Sequence, residues 1–147
     1  MIQPLRTILS PVDFSENSLA AVQYAAYFAR QSNATVYLLY VFEELRLPAE
    51  LYHQNESGIA DLGWAEKTAK EKLQAIAREH LGQEMRYEIL ARVGDPATVI
   101  LAIADHIEAE LIVIATHGRK GLAHLLLGSV AEKVIRESLC PVLTIRR

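Results

Sequence analysis

Five short apolar runs alternate with four stretches of helical spacing, and that alternation restricts the fold more than any other feature of the chain. The runs are RTILSPVD (Arg6 to Asp13), TVYLLYVF (Thr35 to Phe42), MRYEILARVG (Met85 to Gly94), LIVIAT (Leu111 to Thr116) and PVLTIR (Pro141 to Arg146). Runs this short, bounded by Pro, Asp and Gly, read as strands. The second is β-branched and aromatic along its whole length, as in a strand covered on both faces. The third alternates, as at a sheet edge.

The intervening stretches carry helix signals. Ser15 is placed as an N-cap with Glu16 in the first turn, and Leu19, Val22, Ala26 and Ala29 form one stripe that ends at Asn33. A second helical pattern starts near Ile59 and runs through Trp64, Ala65, Ala69, Leu73, Ile76 and Leu81, with Gly82 as its stop. Asp95 followed by Pro96 opens a third helix with Val99, Ile100, Ile103, Ala104 and Ile107 on one face. A fourth runs from Ser129 to Ser138, where Ser129 and Glu132 make the S-x-x-E pattern of a capping box. Glu43 to Gly58 is polar, contains Pro48 and reads as a long mobile connection.

A strict βαβαβαβαβ order predicts one α/β domain over residues 1–147: a five-stranded parallel sheet with helices on both faces. Ligands of such sheets bind beyond the carboxyl ends of the strands, at the topological switch point. Asp13, Val41 and the 115–130 loop all fall at carboxyl ends.

Composition narrows the function. Lys and Arg total 15 against 18 Asp and Glu, well mixed, which is unlike the basic footprint of a nucleic-acid binder. No apolar run approaches the ~18 residues of a membrane span, and the N-terminal apolar segment is too short for a signal peptide. The single cysteine, Cys140, fits a reducing compartment, so the cytoplasm is the expected location. The first strand-to-helix turn, SPVDFSENS, has no glycine, which argues against the dinucleotide fingerprint of a Rossmann site. Neither a P-loop nor a G-x-S-x-G elbow occurs, and the histidines lack metal-ligand spacing.

The segment ATHGRKGLAHLLLGSV, Ala115 to Val130, is the strongest functional signal. A helix N-terminus presents unpaired N–H groups and the positive end of a dipole, which suits a phosphate. Gly118 and Gly128 remove the Cβ that would hold a ligand away. Arg119 and Lys120 are donors of the right sign, or else a solvated loop tip.

Three segments, ILSPVDFSENSLAAVQYA, VGDPATVIL and LIVIATHGRKGLAHLLLGSVAEKVIRESLCPVLTIR, resemble the universal stress proteins along essentially the whole chain. The nucleotide-binding branch of that family carries G-x2-G-x9-G-[ST]. Here it reads Ala115-Thr-His-Gly118, nine residues, then Gly128-Ser129, so Ala115 stands in place of the first glycine. The non-binding branch loses this pattern.

The resemblance implies strand order 3-2-1-4-5 and a homodimer built through residues 141–146. It places Asp13 beside the adenine or ribose with Pro11 and Val12, and Val41 over the adenine. It places Gly118, Gly128, Ser129 and Val130 around the triphosphate and ribose. Ala115, His117 and Arg119 complete the candidate set as members of the same loop.

The expected ligand is ATP, with or without Mg²⁺, in a regulatory protein of the stress response. Two other readings stand beside it. A slow ATPase or phosphotransferase would need a positioned base, for which His117 is the nearby candidate. A nucleotide-free interaction scaffold would use the glycines only to shape a turn.

Overall fold

The computed structural model describes residues 2–43, 46–117 and 127–146. Its strands are β1 (Thr7–Pro11), β2 (Thr35–Phe42), β3 (Tyr87–Val93), β4 (Leu111–Ala115) and β5 (Val142–Ile145). Its α-helices are α1 (Glu16–Ser32), α2 (Leu62–His80), α3 (Pro96–His106) and α4 (Ser129–Glu137). The strands form one sheet in the order β3-β2-β1-β4-β5, parallel at each pairing. This is the order that the family resemblance implied.

The two faces of the sheet follow from side-chain alternation. Ile8, Val36, Leu38, Tyr40, Phe42, Val113 and Ile145 point to one face and pack with α1 and α2. Leu9, Leu39, Ile112 and Ile114 point to the other and pack with α3 and α4. The buried side of α1 is Ala20, Ala21, Val22, Ala25, Ala26 and Ala29, so small residues bring that helix close to the sheet. Each fully buried Leu, Ile or Val contributes on the order of 1.5–3 kcal/mol from its removal from water.

The helix signals read at Ser15, Asn33 and Asp95 act locally. The Ser15 side chain accepts from the Ser18 amide, and Asn33 ends α1 in the left-handed region at φ 57°. Asp95 caps α3, its carboxylate accepting from the Thr98 amide at 3.0 Å and the Thr98 hydroxyl at 2.7 Å. Those two bonds, with Lys133 nearby, hold the Asp95 carboxyl below its ordinary range. At the amino ends of the strands, the Glu110 carboxylate accepts from the Arg6 and Thr7 amides and pairs with the Arg6 guanidinium. The Arg6 amide bond is the main cause of its lowered pKa.

The described part of the connection after β2 carries local structure and core contacts. Ala49–Leu51 form a 3-10 turn, and Leu51 is fully buried against the α1–α2 side of the core. Asn55 and Ile59 close a small turn, with Asn55 N–H donating to Ile59 O at 2.8 Å. His53 lies on Trp64 at the start of α2, with ring centroids 5.1 Å apart. Apolar side chains inside a polar stretch anchor it, because Leu47 and Leu51 reach the core.

Candidate functional site

The order β3-β2-β1-β4-β5 puts the switch point between β1 and β4, since the chain leaves β1 toward β2 and returns after β3 to β4. The turn after β1 forms one wall. Val12 N–H donates to Leu39 O at 2.8 Å, so the strand ladder continues one step past Pro11 before the chain turns. Pro11 and Val12 are buried and Asp13 is half-buried. The Asp13 carboxylate accepts from the Ser15 amide at 3.0 Å and from the Ser15 hydroxyl, which ties it to the N-cap of α1.

Phe14 sits in the left-handed region at φ 65°, an uncommon conformation for a bulky residue that costs on the order of 1–2 kcal/mol. Its ring stacks on Tyr40 with centroids 4.6 Å apart, and Lys72 Nζ lies 4.3 Å above it. These contacts hold the turn that aims Asp13. Nothing local in SPVDFSENS signalled them, since the stacking partners come from β2 and α2.

The end of β2 and the start of α4 form a second wall. Val41 and Val130 both pack against the α3–α4 side of the core, so they share a face of the sheet. Ala115 ends β4 opposite Ile145, and Thr116 N–H donates to Ile145 O at 3.0 Å. Thr116 is buried, and its hydroxyl lies 3.1 Å from His117 Nδ1.

The start of α4 corrects the sequence expectation. Gly128, not Ser129, is the N-cap, and Ser129 is the first helical residue. The S-x-x-E box does not form, because Glu132 pairs with Arg136 one turn on. The long-range partner of Gly128 accounts for the register: its N–H donates to Thr116 O at 2.6 Å.

A Cβ on Gly128 would lie 2.9 Å from that same oxygen. The space freed by this glycine is therefore taken by the protein's own backbone, not kept for a ligand. Of the predicted site residues, Pro11, Val12, Asp13, Val41, Ala115, His117, Gly128, Ser129 and Val130 fall at the carboxyl ends of β1, β2 and β4 or the amino end of α4. Gly118 and Arg119 lie outside the described residues.

Sequence reading missed Asn17, whose side-chain amide donates to the His117 carbonyl at 3.2 Å across 100 residues. A shallow depression of about 460 Å³ also runs along α2 past Glu66, Lys67 and Lys70. Lys70 pairs there with Glu66 at 2.8 Å, and both side chains are about half exposed.

A five-stranded parallel sheet in this order, with helices on both faces, defines an α/β protein of the doubly wound class. The chain belongs to the universal stress protein family, which it matches over residues 4–146. It is similar to universal stress protein MJ0531 of Methanocaldococcus jannaschii, with 37% identity covering 97% of this chain and 82% of the relative.

Its fold is similar to that solved for MJ0577 of the same organism, with TM-score 0.78, 29% identity and coverage of 98% of this chain and 97% of that one. A universal stress protein solved in complex with cAMP is also similar, with TM-score 0.67, 25% identity and coverage of 98% of both chains.

Proposed function

We propose that this universal stress protein binds an adenine nucleotide, ATP, at the carboxyl ends of β1, β2 and β4, and that occupancy regulates its interactions during stress. The observation that carries this reading is the shape of the α4 N-terminus. It is capped by a glycine with no side chain of its own to bond the first amides, and that glycine bonds the Thr116 carbonyl just past β4. Such an end offers N–H groups and a positive dipole to phosphate. Val41 supplies an apolar surface for a base, Val130 on the same face lies toward the ribose and phosphates, and Asp13 supplies an acceptor for an adenine amino group or a ribose hydroxyl. A relative of the same fold holds cAMP, which fits the adenine class.

ATP rather than AMP is the choice because the sequence adds Gly118 and Arg119 to the phosphate side. Mg²⁺ would accompany the phosphates. A homodimer through residues 141–146 and a cytoplasmic location complete the reading. The first rests on the open edge of β5, the second on the lone cysteine.

Calorimetric titration with ATP, ADP, AMP and GTP, with and without Mg²⁺, tests it. Saturable binding of ATP in preference to GTP is expected. No heat with any adenine nucleotide would favour the scaffold reading, and turnover with Mg²⁺ would favour an enzyme.

A further inference from the structure

Asn17 is the second residue of α1, on the α2 side of the sheet, whereas Gly128 caps α4 on the opposite side. One hydrogen bond, Asn17 Nδ2 to His117 O at 3.2 Å, ties the first turn of α1 to the segment just past β4. It completes a continuous chain of contacts. Asp13 accepts from Ser15 at the N-cap of α1, and Asn17 follows in the first turn. The amide of Asn17 reaches His117, and the adjoining Thr116 carbonyl accepts from Gly128 at 2.6 Å. The first member of the chain is the proposed base or ribose contact, and the last is the cap of the proposed phosphate-binding helix.

We infer that Asn17 is a positioning residue that holds the nucleoside wall and the phosphate wall of this site at a fixed separation, so that one ligand engages both. The inference rests on the adenine-nucleotide reading above. Its physical content is preorganisation. A ligand with two recognition groups gains from binding both only to the extent that the walls already stand at the right distance. Asn17 need touch neither group. Losing the tether would leave each half-site intact and weaken the gain from linking them.

The test compares three probes, ATP, adenosine and inorganic triphosphate, on wild type, Asn17→Ala, Asn17→Ser and Asn17→Gln, with a thermal melt of each protein. Asn17→Ala and Asn17→Ser are expected to bind ATP about three- to tenfold more weakly, the scale of one lost hydrogen bond. Adenosine and triphosphate should stay within about twofold of wild type. Asn17→Gln keeps the amide donor and should recover part of the ATP affinity.

Unchanged ATP affinity in the folded Ala and Ser variants overturns the inference while leaving the nucleotide reading in place. Equal losses for all three probes also overturn it, because that pattern marks general damage or direct contact. Failure of both small variants to fold assigns Asn17 to the fold itself and overturns it too. Failure of wild type to bind ATP removes the nucleotide reading and this inference together.

Discussion

The Gly128 amide donates to the Thr116 carbonyl at 2.6 Å, and a Cβ on Gly128 would stand 2.9 Å from that oxygen. The glycine is thus required by the fold before any ligand arrives. Gly128→Ala should cost about 1–3 kcal/mol of folding stability in ligand-free protein, the usual scale of overpacking. Urea melts of both proteins measure it, and an unchanged midpoint would contradict the geometry. Gly128→Val should cost more. Its effect on a ligand must therefore be read from the additional stabilisation that ATP confers, compared with wild type.

Asp13 has two roles that one substitution can separate. Its carboxylate supports the Ser15 N-cap, so Asp13→Ala disturbs the turn as well as any ligand contact. Asp13→Asn keeps a carbonyl acceptor for Ser15 and removes the charge. We expect a melting temperature close to wild type and ATP binding weaker by about 1.5–3 kcal/mol, the value of a hydrogen bond to a charged group. Equal dissociation constants for ATP, measured by calorimetry, would take Asp13 out of the site.

Ala115 stands where the family pattern has glycine. It is half-buried and paired with Ile145 at the end of β4. Ala115→Gly should lower stability by about 0.5–1 kcal/mol, because glycine loses more freedom on folding. ATP affinity should hold or improve. A clear loss of affinity in a folded Ala115→Gly protein would show that the methyl group is itself a contact.

Asp95 makes α3 sensitive to acid. Its pKa is lowered by the Thr98 hydroxyl and amide, so its contribution is complete above the ordinary aspartate range and lost as pH falls through the lowered value. Asp95→Ala should destabilise by about 0.5–2 kcal/mol at neutral pH, as for other caps. The gap from wild type should narrow below about pH 4. Denaturant melts from pH 7 to pH 3 test this, and a gap that stays constant would dissociate the cap from ionisation.

The outer edge of β5 carries the dimer prediction. Ile112 N–H donates to Pro141 O and Thr116 N–H to Ile145 O, so the odd residues of β5 face β4. By the two-residue period, Val142 and Thr144 direct their backbone groups to the outer side. Leu139, just before the strand, is 95% exposed. Light scattering should give twice the mass of the chain. Thr144→Pro removes an outward N–H without touching the ladder to β4, and should shift the protein toward monomer. A wild-type monomer at micromolar concentration would sink the prediction.

Much of the fold was legible because its signals are local. A two-residue alternation against a 3.6-residue period separates strand from helix, and Ser15, Asn33, Asp95 and Gly82 act within a turn of where they stand. Strand order was a different matter. It came from likeness to a family, since no pattern within β1 states that β2 and β4 flank it. The polar composition of residues 43–58 suggested a mobile connection. The burial of Leu51 depends on a core assembled from α1, α2 and the sheet.

The sequence by itself therefore determined the elements, the caps at Ser15 and Asp95, the two apolar faces and the position of the described candidate residues at strand and helix ends. Tertiary structure decided how those residues meet. It moved the N-cap of α4 from Ser129 to Gly128, whose N–H donates to the Thr116 carbonyl twelve residues earlier. It held Phe14 in the left-handed region, where Tyr40 and Lys72 both contact its ring. It joined Asn17 to His117, because the sheet order brings the ends of β1 and β4 together. Each of these depends on which group another part of the chain delivers to a given point, and local propensity carries no record of that.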